Sequence, residues 1–259
     1  MRLAAIDLDG TLLRSDGTIS QRSRDAIRAV RDRGVVVVIV TARGPASVTG
    51  LAREAGIEGS AVCSNGGLIV DLATGAIVRE RLLETATAIR LVHALRERLP
   101  GIVFAVEHEA FAHEDGFSAW DWQPPPGTRV ADALELLEDP ATKIILRHTG
   151  HEVEMVAAVA RELAGDSATV VQSGGEAVEV TAVGVNKAAG LADVADEHGI
   201  DAADVIAFGD FLNDVPMLAW AGRGVAVANA HPEVLAIADE VTASNDDDGV
   251  AIVLESLAR

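Results

Sequence analysis

The run GVVVVIV at residues 34 to 40 restricts the possible folds more than any other segment of the chain. Its β-branched side chains favour a strand, and the absence of polar alternation predicts that both faces of this strand are buried. Strands of this kind belong to parallel sheets that are covered by helices on both sides. The run therefore predicts an α/β protein.

The neighbouring segments extend this prediction. Residues 2 to 8 are typical of a second strand, and residues 20 to 33, SQRSRDAIRAVRDR, predict a helix with Ser20 as its N-cap. Strand, helix and buried strand in this order form a βαβ unit, in which the two strands run parallel. Another helix is predicted after Pro45, and residues 66 to 82 predict a β-hairpin.

The sequence pattern changes near residue 84. From there to residue 182 the predicted strands alternate apolar and polar residues, which is typical of strands with one exposed face. Regular strand-then-helix order returns afterwards. We therefore predict a doubly wound parallel-sheet core that is split in sequence into residues 1–83 and 183–259, with an α+β domain inserted over residues 84–182.

The charge balance restricts the binding partners. The chain has 40 acidic and 21 basic residues, which gives a formal net charge of -19. This charge opposes binding to nucleic acid or to an anionic membrane, so a small molecule is the expected partner. If that molecule is an anion, the site must supply local positive charge from a side chain, a helix N-terminus or a metal ion.

The single cysteine, Cys63, excludes an intrachain disulfide, and its apolar neighbours predict a buried, unreactive thiol. The first residues lead straight into a predicted strand and have no basic region or cleavage site of a signal peptide. No apolar run reaches the roughly 18 residues that a bilayer-spanning helix needs. We expect a cytoplasmic monomer or homodimer.

Polar residues stand where four of the predicted core strands end. These groups are Asp7 to Thr11, Thr41 with Arg43, Ser64 with Asn65, and Asp210 to Asp214. Since ligands bind at the carboxyl edge of a parallel sheet, the four groups are expected to converge there. Asp7 and Asp9 should share one side of an extended chain, and Gly10 allows a sharp turn beneath them.

The carboxylate pair Asp7 and Asp9 fits two chemistries, either a general acid with a general base or a nucleophile with a metal ion. Asp210 and Asp214 add further carboxylates after a second buried strand. No histidine or cysteine accompanies them, and this oxygen-rich set suits Mg²⁺ better than Zn²⁺.

Two further side chains predict a phosphate clamp. Thr41 supplies a hydroxyl group, and Lys187 supplies an ammonium group near the start of a predicted helix. A metal site and a phosphate clamp at one sheet edge point to chemistry on a phosphorylated substrate.

The ordered motifs resemble the haloacid dehalogenase (HAD) superfamily of phosphohydrolases, specifically its Cof-like branch with a large α/β cap of type C2. The matching segments are DLDGTLL, the threonine of VIVTARG, SNGG, GVNKAAGL, GDFLNDVPML, GVAVANA and SNDDDGVA. The resemblance implies a Rossmann-like core and a mobile cap over its carboxyl edge. One departure is Ala188, where many relatives have glycine; alanine favours a helix more than glycine does.

The resemblance also implies residue roles. Asp7 would attack phosphorus and form an aspartyl-phosphate, while Asp9 would protonate the leaving oxygen and then activate water. Thr41 and Lys187 would hold the transferred phosphoryl group. The implied metal residues are Asp7, Asp9 through its backbone carbonyl, Asp210 and Asp214, and the implied substrate-binding residues are Arg43, Asn65, Gly66 and Asn213.

The expected function is Mg²⁺-dependent hydrolysis of a small phosphomonoester. Sugar phosphates are the first expected substrates, followed by phosphorylated cofactors such as FMN or pyridoxal phosphate. Two alternatives stay open: phosphoryl transfer to a second sugar, and a non-catalytic sugar-phosphate sensor on the same fold. Asn65 beside Gly66 is also typical of a simple turn, and Trp120 with Trp122 could either line a specificity wall or anchor a long loop.

Overall fold

A computed structural model describes residues 1–117, 124, 127–175 and 177–258 of the chain. Trp120 and Trp122, and with them both the specificity wall and the loop anchor considered above, lie outside the described residues. The chain divides into two compact units, of which the first combines Met1–Arg79 with Asn186–Arg259 and the second is Glu80–Val185. The predicted insert, residues 84–182, lies within the second unit.

The strands, in chain order, are β1 (Leu3–Ile6), β2 (Val36–Ile39), β3 (Ser60–Cys63), β4 (Leu68–Asp71), β5 (Ile77–Glu80), β6 (Val103–Glu107), β7 (Phe111–His113), β8 (Arg129–Val130), β9 (Lys143–Arg147), β10 (Thr169–Gln172), β11 (Val178–Thr181), β12 (Val205–Gly209), β13 (Arg223–Ala226) and β14 (Glu240–Val241). The helices are α1 (Gln21–Arg31), α2 (Pro45–Ala55), α3 (Thr85–Arg98), α4 (Ala133–Leu136), α5 (Val153–Ala164), α6 (Lys187–Glu197), α7 (Val215–Trp220), α8 (Pro232–Ile237) and α9 (Gly249–Leu257).

The first unit is built on a parallel sheet with the strand order β14-β13-β12-β1-β2. Every residue of β1 and β12, the central strands, is buried, as expected for a sheet that is covered on both faces. A parallel bridge from Val40 to Val62 extends the sheet towards β3. β3 then pairs with β4 in a smaller sheet of order β3-β4-β5, which contains the predicted hairpin.

The strand order reverses between β1 and β12. The chain proceeds from β1 to β2 in one direction and from β12 through β13 to β14 in the other. Right-handed crossovers therefore place α1 and α7 on opposite faces. The predicted doubly wound α/β fold is confirmed, and the reversal creates a crevice at the carboxyl ends of β1 and β12.

The described residues of the second unit form a six-stranded sheet of order β10-β11-β9-β6-β7-β8, in which β7 and β8 pair in parallel and the other described pairs are antiparallel. Helices α3, α4 and α5 pack against this sheet around an apolar core. The expectation of one exposed face is wrong for β11, whose four residues are all buried, and for β9, whose first four residues are buried. Polar residues of these strands form ion pairs instead: the buried ammonium of Lys143 lies 3.3 Å from Glu107 and 3.1 Å from Glu179.

Local predictions agree with the observed elements, and the shortest elements were missed. Ser20 caps α1 by accepting a hydrogen bond from the Ser23 amide, and Cys63 is buried, as predicted. The sequence did not predict α8 or β14, because six and two residues are too few to establish a periodicity. In the part of the chain that the structure covers, no helix has the length and apolarity needed to cross a bilayer.

Candidate active site

Asp7 is buried directly after β1, where the chain leaves the sheet in a tight turn over Leu8–Leu12. Gly10 occupies the left-handed region in this turn, with φ of 76°. A Cβ atom at this position would lie 2.4 Å from Oδ2 of Asp210. Conformation and space therefore both require glycine, and the turn brings the backbone against Asp210, which follows β12.

Lys187 is the first residue of α6, which Asn186 caps by accepting a hydrogen bond from the Ala189 amide at 3.0 Å. The Lys187 side chain is only 1% exposed. Its Nζ atom donates to Oδ1 of Asp7 and to Oδ1 of Asp214, each at 2.6 Å. The helix start thus places a buried cation between two buried carboxylates.

Two glycines allow α6 to begin at this point. A Cβ atom on Gly190 would lie 2.8 Å from the Gly66 Cα atom, and one on Gly66 would lie 2.2 Å from the Asn186 carbonyl oxygen. The start of α6 therefore rests directly on the backbone of the loop Ser64–Gly66. A side chain at either glycine would push Lys187 away from Asp7.

Asp210 and Asp214 follow β12 and have different hydrogen-bond partners. Asp214 accepts hydrogen bonds at Oδ2 from the backbone amides of Asp210 and Phe211, each at 3.0 Å. Asp210 accepts one at Oδ1 from the Thr11 hydroxyl group at 2.8 Å. Carboxylate oxygens of Asp7, Asp210 and Asp214 all lie within 4.8 Å of one another, so this cluster could hold a metal ion.

The charges of the cluster affect the protonation of its members. Burial raises the pKa of Asp7 well above its usual value, and the charges of Asp214 and Asp210 add to this effect while Lys187 opposes it. Burial, followed by the charge of Asp214, raises the pKa of Asp210 to about 6. Burial lowers the pKa of Lys187, but the attraction of Asp214 and Asp7 outweighs it and leaves this pKa raised. Lys187 therefore stays charged.

Asp9 has different surroundings from Asp7. Its side chain is 56% exposed, and its carboxylate forms a two-point ion pair with Arg43. The Nε atom of Arg43 lies 2.7 Å from Asp9 Oδ2, and its terminal nitrogen lies 2.5 Å from Oδ1. The structure thus brings two of the predicted residues, Asp9 and Arg43, together in a partly exposed ion pair.

Thr41, Asn65, Gly66 and Asn213 form the other polar group of the site. Thr41 is buried, and its carbonyl oxygen accepts a hydrogen bond from the Asn65 amide at 3.0 Å. Asn65 adopts a left-handed turn conformation with φ of 55°, and its Oδ1 atom accepts from Asn213 Nδ2 at 3.0 Å. The buried Oδ1 atom of Asn213 has no hydrogen-bond partner among the described residues. Asn65 is therefore both a turn residue and part of the polar group.

Two residues that contact this machinery were not predicted. Thr11 was noted only as part of a polar strand end, yet it hydrogen-bonds Asp210, and Asn229 donates to the Gly10 carbonyl oxygen at 2.8 Å. Thr11 stands directly after the turn glycine, and Asn229 lies in the GVAVANA motif. These positions in the sequence could have marked Thr11 and Asn229 as candidates. Neither position reveals a contact with a residue that is distant in sequence.

Comparison with known proteins adds independent evidence. The family model described as haloacid dehalogenase-like hydrolase matches residues 4–254. The chain is 32% identical to the 5-amino-6-(5-phospho-D-ribitylamino)uracil phosphatase YcsE of Bacillus subtilis over 97% of this chain and 93% of that protein. It is 28% identical to the pyridoxal phosphate phosphatase YbhA of Escherichia coli over 96% of each chain.

A solved structure is similar over the whole chain. The solved structure of a haloacid dehalogenase-like hydrolase from B. subtilis superposes with a TM-score of 0.85 at 26% identity, covering 99% of this chain and 100% of the other. The similarity therefore includes both compact units.

Proposed function

Because the chain belongs to the haloacid dehalogenase-like hydrolase family and is a phosphatase of that family, we propose that it is a Mg²⁺-dependent phosphomonoester hydrolase with Asp7 as its nucleophile. One observation carries this proposal: the buried Asp7 carboxylate lies 2.6 Å from the Lys187 ammonium, beside two further carboxylates. Carboxylate and cation together suit attack on a phosphoryl group and stabilisation of the charge that develops on it.

The residues present fit a divalent metal ion. Three clustered carboxylates against one ammonium leave a net charge of two negative units when all are ionised, and oxygen ligands suit Mg²⁺. Asp7 and Asp210 would hold the ion, with Asp214 and the backbone carbonyl of Asp9 as further proposed contributors. When bound, Mg²⁺ would supply charge that offsets repulsion between the carboxylate and the phosphate.

The proposed reaction has two steps. In the first, an Asp7 carboxylate oxygen forms a bond to phosphorus, the bond from phosphorus to the leaving oxygen breaks, and Asp9 gives that oxygen its proton. In the second, Asp9 takes a proton from water, whose oxygen attacks the phosphorus. The bond between phosphorus and Asp7 then breaks, which releases phosphate and restores the Asp7 carboxylate and the protonated Asp9 side chain.

The remaining predicted residues are proposed to bind the substrate. The Lys187 ammonium and the Thr41 hydroxyl group would hold the phosphoryl oxygens. Asn213 has an available amide acceptor at the buried end of its side chain, which suits a hydroxyl or water donor. We place Arg43, Asn65 and Gly66 with Asn213 as the substrate-binding group.

We propose a small phosphorylated metabolite as the substrate, with sugar phosphates first. The named activities of two relatives, on a phosphorylated ribityl compound and on pyridoxal phosphate, support this size class and make both compounds specific candidates. The second unit is proposed as the cap domain, in keeping with its position as an insert. We also retain the expectation of a cytoplasmic monomer or homodimer without nucleic-acid or membrane partners.

Phosphate release from a panel of sugar phosphates, nucleotides, FMN and pyridoxal phosphate tests the proposal, with and without Mg²⁺. Asp7→Asn keeps the side-chain size but removes the nucleophile, so turnover should fall by a factor of about 10⁴ or more. Release that persists in Asp7→Asn would exclude this nucleophile. No release from any compound by folded, Mg²⁺-loaded native protein would contradict the phosphatase activity.

A further inference from the structure

The turn that carries Asp9 and Gly10 is held from outside by a carboxamide. Asn229, in the loop after β13, donates from Nδ2 to the Gly10 carbonyl oxygen at 2.8 Å. Its Oδ1 atom accepts a hydrogen bond from the Asn245 amide at 2.9 Å. Because one end of this carboxamide accepts and the other donates, both of its ends are fixed. The proposed reaction assigns no role to this residue.

A second carboxamide holds the other end of the same turn. Asn245 is buried and donates from Nδ2 to the Leu13 carbonyl oxygen at 2.9 Å. We call Asn229 and Asn245 the carboxamide brace. The brace fixes the carbonyl groups of Gly10 and Leu13, and its two members are linked to each other by a hydrogen bond.

The braced turn faces the acidic cluster on one side and a cleft on the other. A Cβ atom on Gly10 would meet Asp210 at 2.4 Å, and the Thr11 hydroxyl group hydrogen-bonds that carboxylate. The cleft has a volume of about 440 Å³ and is lined by Gly10, Asn229 and Asn245, among other residues. The hydrogen bonds of Asn229 and Asn245 therefore hold the turn on the side of the cleft, in addition to the core packing of Leu8 and Leu12.

We propose that Asn229 is a positioning residue of the metal site. By holding the Gly10 carbonyl, it keeps Gly10 and Thr11 against Asp210 and so fixes the orientation of the Asp210 carboxylate relative to Asp7. Outer hydrogen-bond partners of this kind set metal affinity by orienting the ligands. The inference rests on the proposed function only in taking Mg²⁺ as the ion that the cluster binds.

Calorimetric titration of the full-length protein with Mg²⁺ tests this inference without using turnover. Asn229→Ala removes the donor, and Asn229→Asp replaces it with an oxygen that repels the Gly10 carbonyl. Each should weaken Mg²⁺ binding by about tenfold. Ser15→Ala is the matched control. Ser15 lies just beyond the turn, and its hydroxyl group donates a hydrogen bond to Asp246, the residue after Asn245. Among the described hydrogen bonds, none joins Ser15 to a member of the acidic cluster.

The expected result is weaker Mg²⁺ binding in both Asn229 variants and native binding in Ser15→Ala, with kcat lowered more than KM is raised in the Asn229 variants. Native Mg²⁺ affinity in the Asn229 variants would overturn the inference. Equal weakening in Ser15→Ala would also overturn it, since the effect would then come from general loosening of the loop. Mg²⁺ binding that is weakened in the Asn229 variants, together with a native protein that releases no phosphate, would instead contradict the proposed function alone.

Discussion

The guanidinium of Arg43 holds the carboxylate of Asp9 at two points, with nitrogen-to-oxygen distances of 2.7 and 2.5 Å. Two parallel hydrogen bonds fix the plane of a carboxylate as well as its position. Asp9 is exposed, so this pair is the contact that defines its orientation. If Asp9 exchanges protons with the leaving group and with water, its orientation determines how often it points at them.

Arg43→Lys should therefore lower kcat, because a lysine keeps the positive charge but cannot bind both carboxylate oxygens in one plane. We expect a loss of about tenfold or more, within the usual contribution of a positioned acid or base. Steady-state kinetics on the best substrate of the panel measures this effect. A variant with native kcat and a raised KM would restrict Arg43 to substrate binding.

Lys187→Met should remove activity and destabilise the fold. The substitution leaves Asp7 and Asp214 buried without their shared cation, and breaking such a group typically costs about 3–5 kcal/mol. Urea unfolding gives the free energy of unfolding, and phosphate release gives the turnover.

Lys143→Met is the matched control for Lys187→Met, because it also removes a buried lysine that lies between two carboxylates. We expect a comparable loss of stability but continued turnover of a small substrate such as p-nitrophenyl phosphate. If both variants lost turnover equally, the loss would reflect stability and not the position of Lys187 beside Asp7.

The sequence alone predicted the location of those candidate site residues that stand at the end of a strand or the start of a helix. Asp7 and Asp210 follow buried apolar runs, and Lys187 begins a helix with an asparagine cap, so local pattern is sufficient to place them. Contacts between distant segments leave no such pattern. The Thr11 to Asp210 hydrogen bond joins residues 199 positions apart and depends on the tertiary fold.

The sequence favoured different environments for Asp7 and Asp9 but did not predict that Asp7 is buried while Asp9 is exposed. A period of two holds only while the chain stays extended, and the tight turn over Leu8–Leu12, with Gly10 at φ of 76°, ends it. The close approach of Gly66 to α6 was likewise invisible, because a glycine in sequence does not reveal which backbone it touches.

The raised pKa of Asp210 predicts how pH affects the metal-free protein. With a folded-state pKa of about 6 and an unfolded value near 3.8, the folded protein binds more protons than the unfolded chain between these values. Protonation of Asp210 therefore stabilises the folded protein. This contribution to the free energy of unfolding, at most about 3 kcal/mol, is fully present below about pH 4 and is lost as the pH rises through 6. Bound Mg²⁺ should reverse this trend, because it requires ionised carboxylates.

Thermal unfolding of native protein and Asp210→Asn over this pH range, in EDTA and in Mg²⁺, measures both effects. In EDTA, the stability of the native protein relative to Asp210→Asn should fall as the pH rises. Mg²⁺ should raise the stability of the native protein most at neutral pH and least below about pH 6. A difference between the two proteins that did not change with pH would contradict the raised pKa.

Gly10→Ala should weaken the metal site through a steric effect. The new Cβ atom would lie 2.4 Å from Oδ2 and 2.9 Å from Cγ of Asp210, so either the carboxylate or the turn must move. We expect Mg²⁺ affinity and kcat to fall by about tenfold or more. Displaced metal ligands and misplaced reacting groups have effects of this size in other enzymes.

Gly17→Ala separates this clash from the cost of the backbone conformation. Gly17 has φ of 79°, close to the 76° of Gly10, but a Cβ atom there would meet no atom of the described residues within 4 Å. Both variants should lose about 1–2 kcal/mol of stability from the left-handed conformation. Only Gly10→Ala should also lose Mg²⁺ affinity, since only its side chain reaches Asp210. Equal Mg²⁺ affinities in the two variants would show that the position of Asp210 does not depend on the space that Gly10 leaves.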